Sequence, residues 1–143
     1  MIFLRVAMNK FILMMLLAVV SNSAFAAKWI KAEEWVKLDI ASDHFVVYAD
    51  PTSIIRSGNK AQMRSLIDHK TPLSRAGKTF MSVKAQHEFN CGGSQVRMLF
   101  ASVHSENMGK GERVATDYKI ENWESVQPLS ISEALWKIAC GKK

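Results

Sequence analysis

From Thr79 the chain alternates in character. Thr79, Met81, Val83, Ala85, His87 and Phe89 stand against Ser82, Lys84, Gln86 and Glu88. A period of two places successive side chains on opposite faces of a strand, so this stretch predicts a half-buried strand with its odd residues inward. Gly92-Gly93 then predicts a two-residue hairpin turn in which both glycines take φ > 0. With Cys91 facing Ser94, the return strand pairs Phe89 with Val96, His87 with Met98 and Ala85 with Phe100 on the inner side. The same register sets Glu88 opposite Arg97 outside, a favourable cross-strand charge pair. A slip of one residue would destroy the apolar match and the charge match together.

The remaining elements follow from similar signals. Glu34–Ile40 and Phe45–Tyr48 read as short strands separated by Ala41-Ser42-Asp43, and Pro51–Gly58 reads as a connection. Lys60–His69 begins a longer strand, and Thr71–Gly77 has turn chemistry. Pro51, Pro72 and Pro128 all fall in turn-like contexts. After Leu99–Val103 the stretch Asn107–Gly111 predicts a turn, with a returning strand over Arg113–Tyr118. One helix is predicted. Ser130-Ile131-Ser132-Glu133 is a capping box, and Ile131, Ala134, Leu135, Ile138 and Ala139 form an apolar stripe at helical spacing. Gly141 ends it, and Lys142 and Lys143 suit the negative end of the helix dipole. The expected fold class is α+β: an antiparallel sheet of about six strands with one face covered by a C-terminal helix.

The N-terminus lies outside this pattern. Arg5 and Lys10 precede an apolar run, Phe11–Val20, and Ala24-Phe25-Ala26 follows it. A basic start, a ten-residue apolar centre and an A-x-A exit predict a cleaved secretory signal peptide over residues 1–26. The run is shorter than the roughly 20 apolar residues a membrane-spanning helix needs. Met8 would serve as a start equally well as Met1, since Lys10 still supplies charge. Residues 27–143 are then a single exported domain. Cleavage removes two of the cations that make up the net charge of +6, leaving a modest basic excess. Such an excess favours anionic partners, but no cluster of five or more Lys/Arg points to nucleic acid.

Export also sets the expectation for Cys91 and Cys140, the only cysteines in the chain. In an oxidising compartment an isolated pair forms a disulfide, here pinning the helix to the inner face of the sheet.

Chemistry is sparse. His44, His69, His87 and His104 show no H-x-H, H-E-x-x-H or Cys/His spacing, so neither metal nor cofactor is expected. There is no G-x-S-x-G. Ser102-Val103-His104 has no third partner visible in the sequence, and Gly109-Lys110-Gly111 reads as a hairpin turn rather than a phosphate loop. No catalytic residue is predicted. The outer sheet face offers more. A register aligning Lys60 with Glu88 and Arg64 with Lys84, and placing His69 opposite Thr79, gathers Lys60, Arg64, Lys84 and Arg97 into a basic field interrupted by Gln62, Gln86 and Glu88. This is the candidate partner-binding face, suited to an anionic glycan or an acidic protein patch. Trp29, near the new N-terminus, is the tryptophan best placed for exposure, whereas Trp136 falls at the edge of the helix stripe.

Several stretches carry a resemblance: Tyr48-Ala49-Asp50-Pro51-Thr52-Ser53-Ile54, Arg56-Ser57-Gly58-Asn59-Lys60, Ser82-Val83-Lys84 and Glu88-Phe89-Asn90-Cys91. They continue through Asn107-Met108-Gly109-Lys110-Gly111-Glu112 and Ile131–Cys140. In these blocks the chain resembles the bacterial surface-adhesin protein E family across nearly all of the exported domain. The resemblance implies a small antiparallel sheet with a helix tethered by the cysteine pair. It also implies a non-enzymatic protein that binds host matrix or serum proteins such as laminin or vitronectin. The family's namesake is a lipoprotein, whereas this leader ends Ala24-Phe25-Ala26-Ala27 without a cysteine at the cleavage point. The expected location is therefore the periplasm or the medium. The alternative reading is a soluble periplasmic accessory that binds a small anionic ligand or an envelope protein. An exposed edge strand leaves a homodimer open.

Overall fold

A computed structural model of the protein describes residues 32–143; the predicted leader and Trp29 lie outside the described residues. The strands are β1 (Val36–Lys37), β2 (Phe45–Ser57), β3 (Lys60–Arg75), β4 (Lys78–Asn90), β5 (Gln95–His104), β6 (Arg113–Asp117) and β7 (Glu124–Ser125). They form one antiparallel sheet in the order β1-β2-β3-β4-β5-β6, with β7 also paired to β5. Helix α1 (Ile131–Cys140) covers one face.

Strand lengths depart from their sequence signals in both directions. Glu34–Ile40 contributes only the two residues of β1. Pro51–Gly58, expected as a connection, is instead continuous with β2, and Thr71–Arg75 continues β3. Both extensions cross irregularities: pairing shifts between Asp50 and Ile55 and between Asp68 and Leu73. Pro51 and Pro72 sit inside these two bulges, where a residue without an N–H breaks no ladder bond.

Odd residues of β3 and β4 face α1, as their alternation requires. Ala61, Met63, Phe89, Val47 and Ala49 are buried beneath Leu135, Ala139 and Cys140. Phe89 pairs with Val96, His87 with Met98 and Glu88 with Arg97, but Gln86 then pairs with Phe100 and Ala85 with Ala101. The expected Ala85–Phe100 pair is thus overturned by a bulge at Leu99. Beyond it the parity of β5 reverses, turning Ala101 and Val103 toward the helix side and Phe100, Ser102 and His104 to the opposite face. The β3–β4 register also differs from expectation. Lys60 pairs with Asn90, Gln62 with Glu88, Arg64 with Gln86 and Leu66 with Lys84, while His69 lies in the bulge rather than opposite Thr79. In the β4–β5 turn the positive φ falls on Ser94 (49°) and not on Gly92 or Gly93. Asn90 holds that turn by accepting a hydrogen bond from Gly93 N–H.

Helix α1 begins and ends as its sequence predicts. Ser130 Oγ accepts from Glu133 N–H at 3.1 Å, while the Glu133 carboxylate meets Lys137 one turn on, at 3.3 Å, rather than closing the capping box. Gly141 takes φ 65°, and Lys142 N–H reaches Lys137 O at 2.8 Å. This left-handed stop needs glycine. Replacing Ser130 by alanine leaves an orphan N–H in the first turn and should cost about 1 kcal/mol, read as a lower urea midpoint with unchanged slope.

His87 lies between sheet and helix, where burial lowers its pKa from 6.5 to about 4, because the imidazolium would lose its hydration there. Between those values the unfolded chain binds a proton that the folded chain refuses. Stability is therefore undiminished above pH 6.5, falls toward pH 4 and levels off below it. At about 1.4 kcal/mol per pKa unit the full loss is roughly 3 kcal/mol. His87→Leu should narrow the difference between unfolding free energies at pH 7 and pH 4.5. An unchanged difference would mean that the ring is hydrated in the folded state.

Candidate binding face

The face opposite α1 carries the even residues of β3 and β4. Lys60, Arg64, Lys84 and Arg97 all project to it, and each has a local partner. Arg64 Nη2 lies 2.8 Å from Asp50 Oδ2, and Asp50 is fully buried. Lys84 Nζ lies 3.0 Å from Glu33. Arg97 donates from Nε and Nη2 to Glu88 Oε1 at 2.9 and 2.6 Å, the cross-strand pair the alternation predicts. Three of the four cations are therefore matched by a carboxylate, and the field is less uniformly basic than the sequence suggests. Lys60 and Arg97 also share a partner. Trp123, from the β6–β7 connection, has its ring centroid 4.5 Å from Arg97 Cζ and 5.5 Å from Lys60 Nζ. Cation–π attraction to both side chains holds this connection across the end of three strands.

At the other end, the β5–β6 loop folds back over the same face. Ser82 Oγ donates to Glu106 O and accepts from Gly109 N–H. Asp68 accepts from Asn107 Nδ2 and Met108 N–H. Between this loop and Trp123 lies a cleft of about 270 Å³ lined by Arg64, Lys84, Gln86, Phe100, Ser102 and Arg113, with Glu33 at its side. Sequence reasoning missed Arg113 and Ser102 here, because no compositional signal marks the Leu99 bulge that turns Phe100, Ser102 and His104 to this face. Ser102 Oγ and His104 Nε2 are 2.7 Å apart and buried. Burial lowers the His104 pKa below its ordinary value, and Lys84 and Arg113 lower it further while Glu33 opposes them. Among the described residues no group of three or more His, Cys, Asp or Glu is placed to hold a metal, and no helix is long and apolar enough to cross a membrane.

Residues 35–141 match the family model described as surface-adhesin protein E. The chain belongs to that family. Similar solved structures share the adhesin fold. Haemophilus influenzae protein E in crystal form II has 18% identity and a TM-score of 0.56, with 74% of this chain and 96% of that one covered. Protein E from non-typeable Haemophilus influenzae has 17% identity and a TM-score of 0.53, with 77% and 86% covered. No curated protein sequence matches the chain. The other residues singled out from sequence, Cys91 and Cys140, form the disulfide that fastens α1 to the end of β4. It lies on the helix side of this adhesin domain, away from the cationic face.

Proposed function

We propose that the protein is an exported, non-enzymatic interaction protein that binds a protein partner through the face opposite α1. The partner class is a matrix or serum protein such as laminin or vitronectin, or a protein of the cell envelope. The observation that supports this best is the juxtaposition of Trp123 with Lys60 and Arg97, in a connection that also exposes Tyr118 (71%) and Ile120 (57%). Tryptophan, tyrosine and arginine are the residues that most often dominate protein interfaces, and cationic neighbours steer an acidic partner toward them. Trp123→Ala should weaken binding to immobilised laminin or vitronectin by at least about tenfold, the scale of a hot-spot truncation. The charge reversal Lys60→Glu should slow association. Unchanged binding by both variants would rule this face out. Protease treatment of intact cells adds the location: a cell-associated pool that the protease digests supports host contact, and a protected soluble pool directs the search to envelope proteins.

The cleft favours a second reading, a periplasmic accessory that takes a small anionic ligand. Arg64, Lys84 and Arg113 line it, and the His104 pKa, lowered first by burial, is lowered further by Lys84 and Arg113. Arg113→Glu would abolish anion binding on this reading and leave protein binding at Trp123 intact.

A further inference from the structure

On the other face, beneath the first turns of α1, a second cavity of about 260 Å³ separates the helix from β3 and β4. Its walls are apolar, with Ile67, Val83 and Leu135 prominent, but three polar side chains also line it: Ser65, His87 and Ser132. His87 Nδ1 is buried without a hydrogen-bond partner, and the two serine hydroxyls stand beside it on the cavity wall. Native interiors satisfy the great majority of buried polar groups, so the unpaired Nδ1 of His87 beside a cavity points to an occupant. Ser65 and Leu135 are buried at its base, whereas Ile131 and Ser132 are half-buried, so the cavity extends from the core toward solvent.

We propose that this cavity is a binding site for a small uncharged molecule with a compact apolar body and one hydroxyl group, of the phenol class. The site is independent of the partner-binding face. Its volume lies just below the roughly 300 Å³ at which sites for larger ligands begin, which limits the occupant to about one ring. The apolar walls contact that ring, and the hydroxyl exchanges hydrogen bonds with His87 and the two serines. Charge is excluded on the same ground that keeps His87 neutral: no counter-ion lines the cavity, and an ion entering it would lose its hydration.

The test titrates p-cresol, toluene and benzoate separately into the isotopically labelled, oxidised protein at pH 7, followed by two-dimensional NMR. The expected result is saturable p-cresol shifts centred on Ser65, Ala85, His87 and Ser132. Toluene, which lacks the hydroxyl, should bind about tenfold more weakly, the scale of a buried polar group left unpaired. Benzoate should leave these resonances unmoved. Ser132→Val keeps the Ser130 cap and should weaken p-cresol about fivefold with toluene unchanged; Ser65→Ala supplies the same readout should the valine disturb the helix. Shifts scattered over the surface without saturation would overturn the proposal. So would equal affinity for p-cresol and toluene, or benzoate binding as tightly as p-cresol. Cavity resonances that ignore all three probes would show that water alone fills the space.

Discussion

Asp50→Ala should lower the unfolding free energy by about 3 kcal/mol, the largest effect expected of any single side-chain truncation on the cationic face. The carboxylate is fully buried, and both its oxygens are used. Oδ2 receives Arg64 at 2.8 Å, and Oδ1 accepts from the Thr52 N–H at 3.1 Å and from the Thr52 hydroxyl. Ser53 completes the unit: its hydroxyl donates to Asp50 O and accepts from Arg64 N–H. These bonds hold the bulge that lets β2 continue past Pro51. Removing the carboxylate takes away its bonds to Thr52 and leaves the Arg64 guanidinium, whose Nε is already buried without a partner, without the Asp50 counter-charge. Loss of one member of a buried pair costs about 3–5 kcal/mol, and the one-third exposure of Arg64 sets the lower end of that range. Asp50→Asn keeps the turn acceptor and loses only the charge, so it should fall between wild type and alanine. The measurement is urea unfolding of the three proteins, with a shift in midpoint at constant slope. A loss under about 1 kcal/mol for alanine would mean that the pair is hydrated and contributes no more than a surface ion pair.

This pair also shows which parts of the molecule were legible in the sequence. The face of Lys60, Arg64 and Lys84 depends only on parity. The β3–β4 register differs from the expected one by two residues, and a two-residue slip leaves every side chain on its own face. The direct partners changed, so that Arg64 faces Gln86 and not Lys84, while the grouping of cations survived. A one-residue bulge has the opposite consequence. At Leu99 it reversed the parity of the rest of β5 and carried Phe100 and Ser102 into the cleft, and no turn residue or proline marks it. Apart from Glu88, which the alternation set opposite Arg97, the partners of the cations were invisible for another reason. Asp50, Glu33 and Trp123 come from segments distant in sequence, and periodicity says nothing about which loop crosses which strand. The helix was legible because its signals are local: a serine cap, an apolar stripe and a terminal glycine.

Replacing Cys91 and Cys140 together by alanine should cost about 4 kcal/mol, from the chain-entropy model for a loop of 49 residues. The sulfurs join the end of β4 to the last residue of α1, so the bond spans the core and closes off all of β5, β6 and β7. Helix α1 has only ten residues, fewer than the about 12–15 that an isolated helix needs to be even marginal in water. Its remaining tethers are the burial of Leu135 and Ala139, the Trp136 Nε1 donor to Asn90 O at 3.1 Å and the Arg56 Nη2 donor to Ala139 O at 3.0 Å. These hold the helix in place once the chain has folded, but they do nothing to restrict the unfolded chain. The double variant should therefore keep its sheet and its helix in water and unfold at much lower urea, with a steeper slope as the unlinked chain expands further. Reduction of the wild-type protein should reproduce the same midpoint. Should the variant instead lose its helical signal before denaturant is added, the disulfide would be holding α1 on the sheet directly, and the tethers through Trp136 and Arg56 would be too weak to dock it.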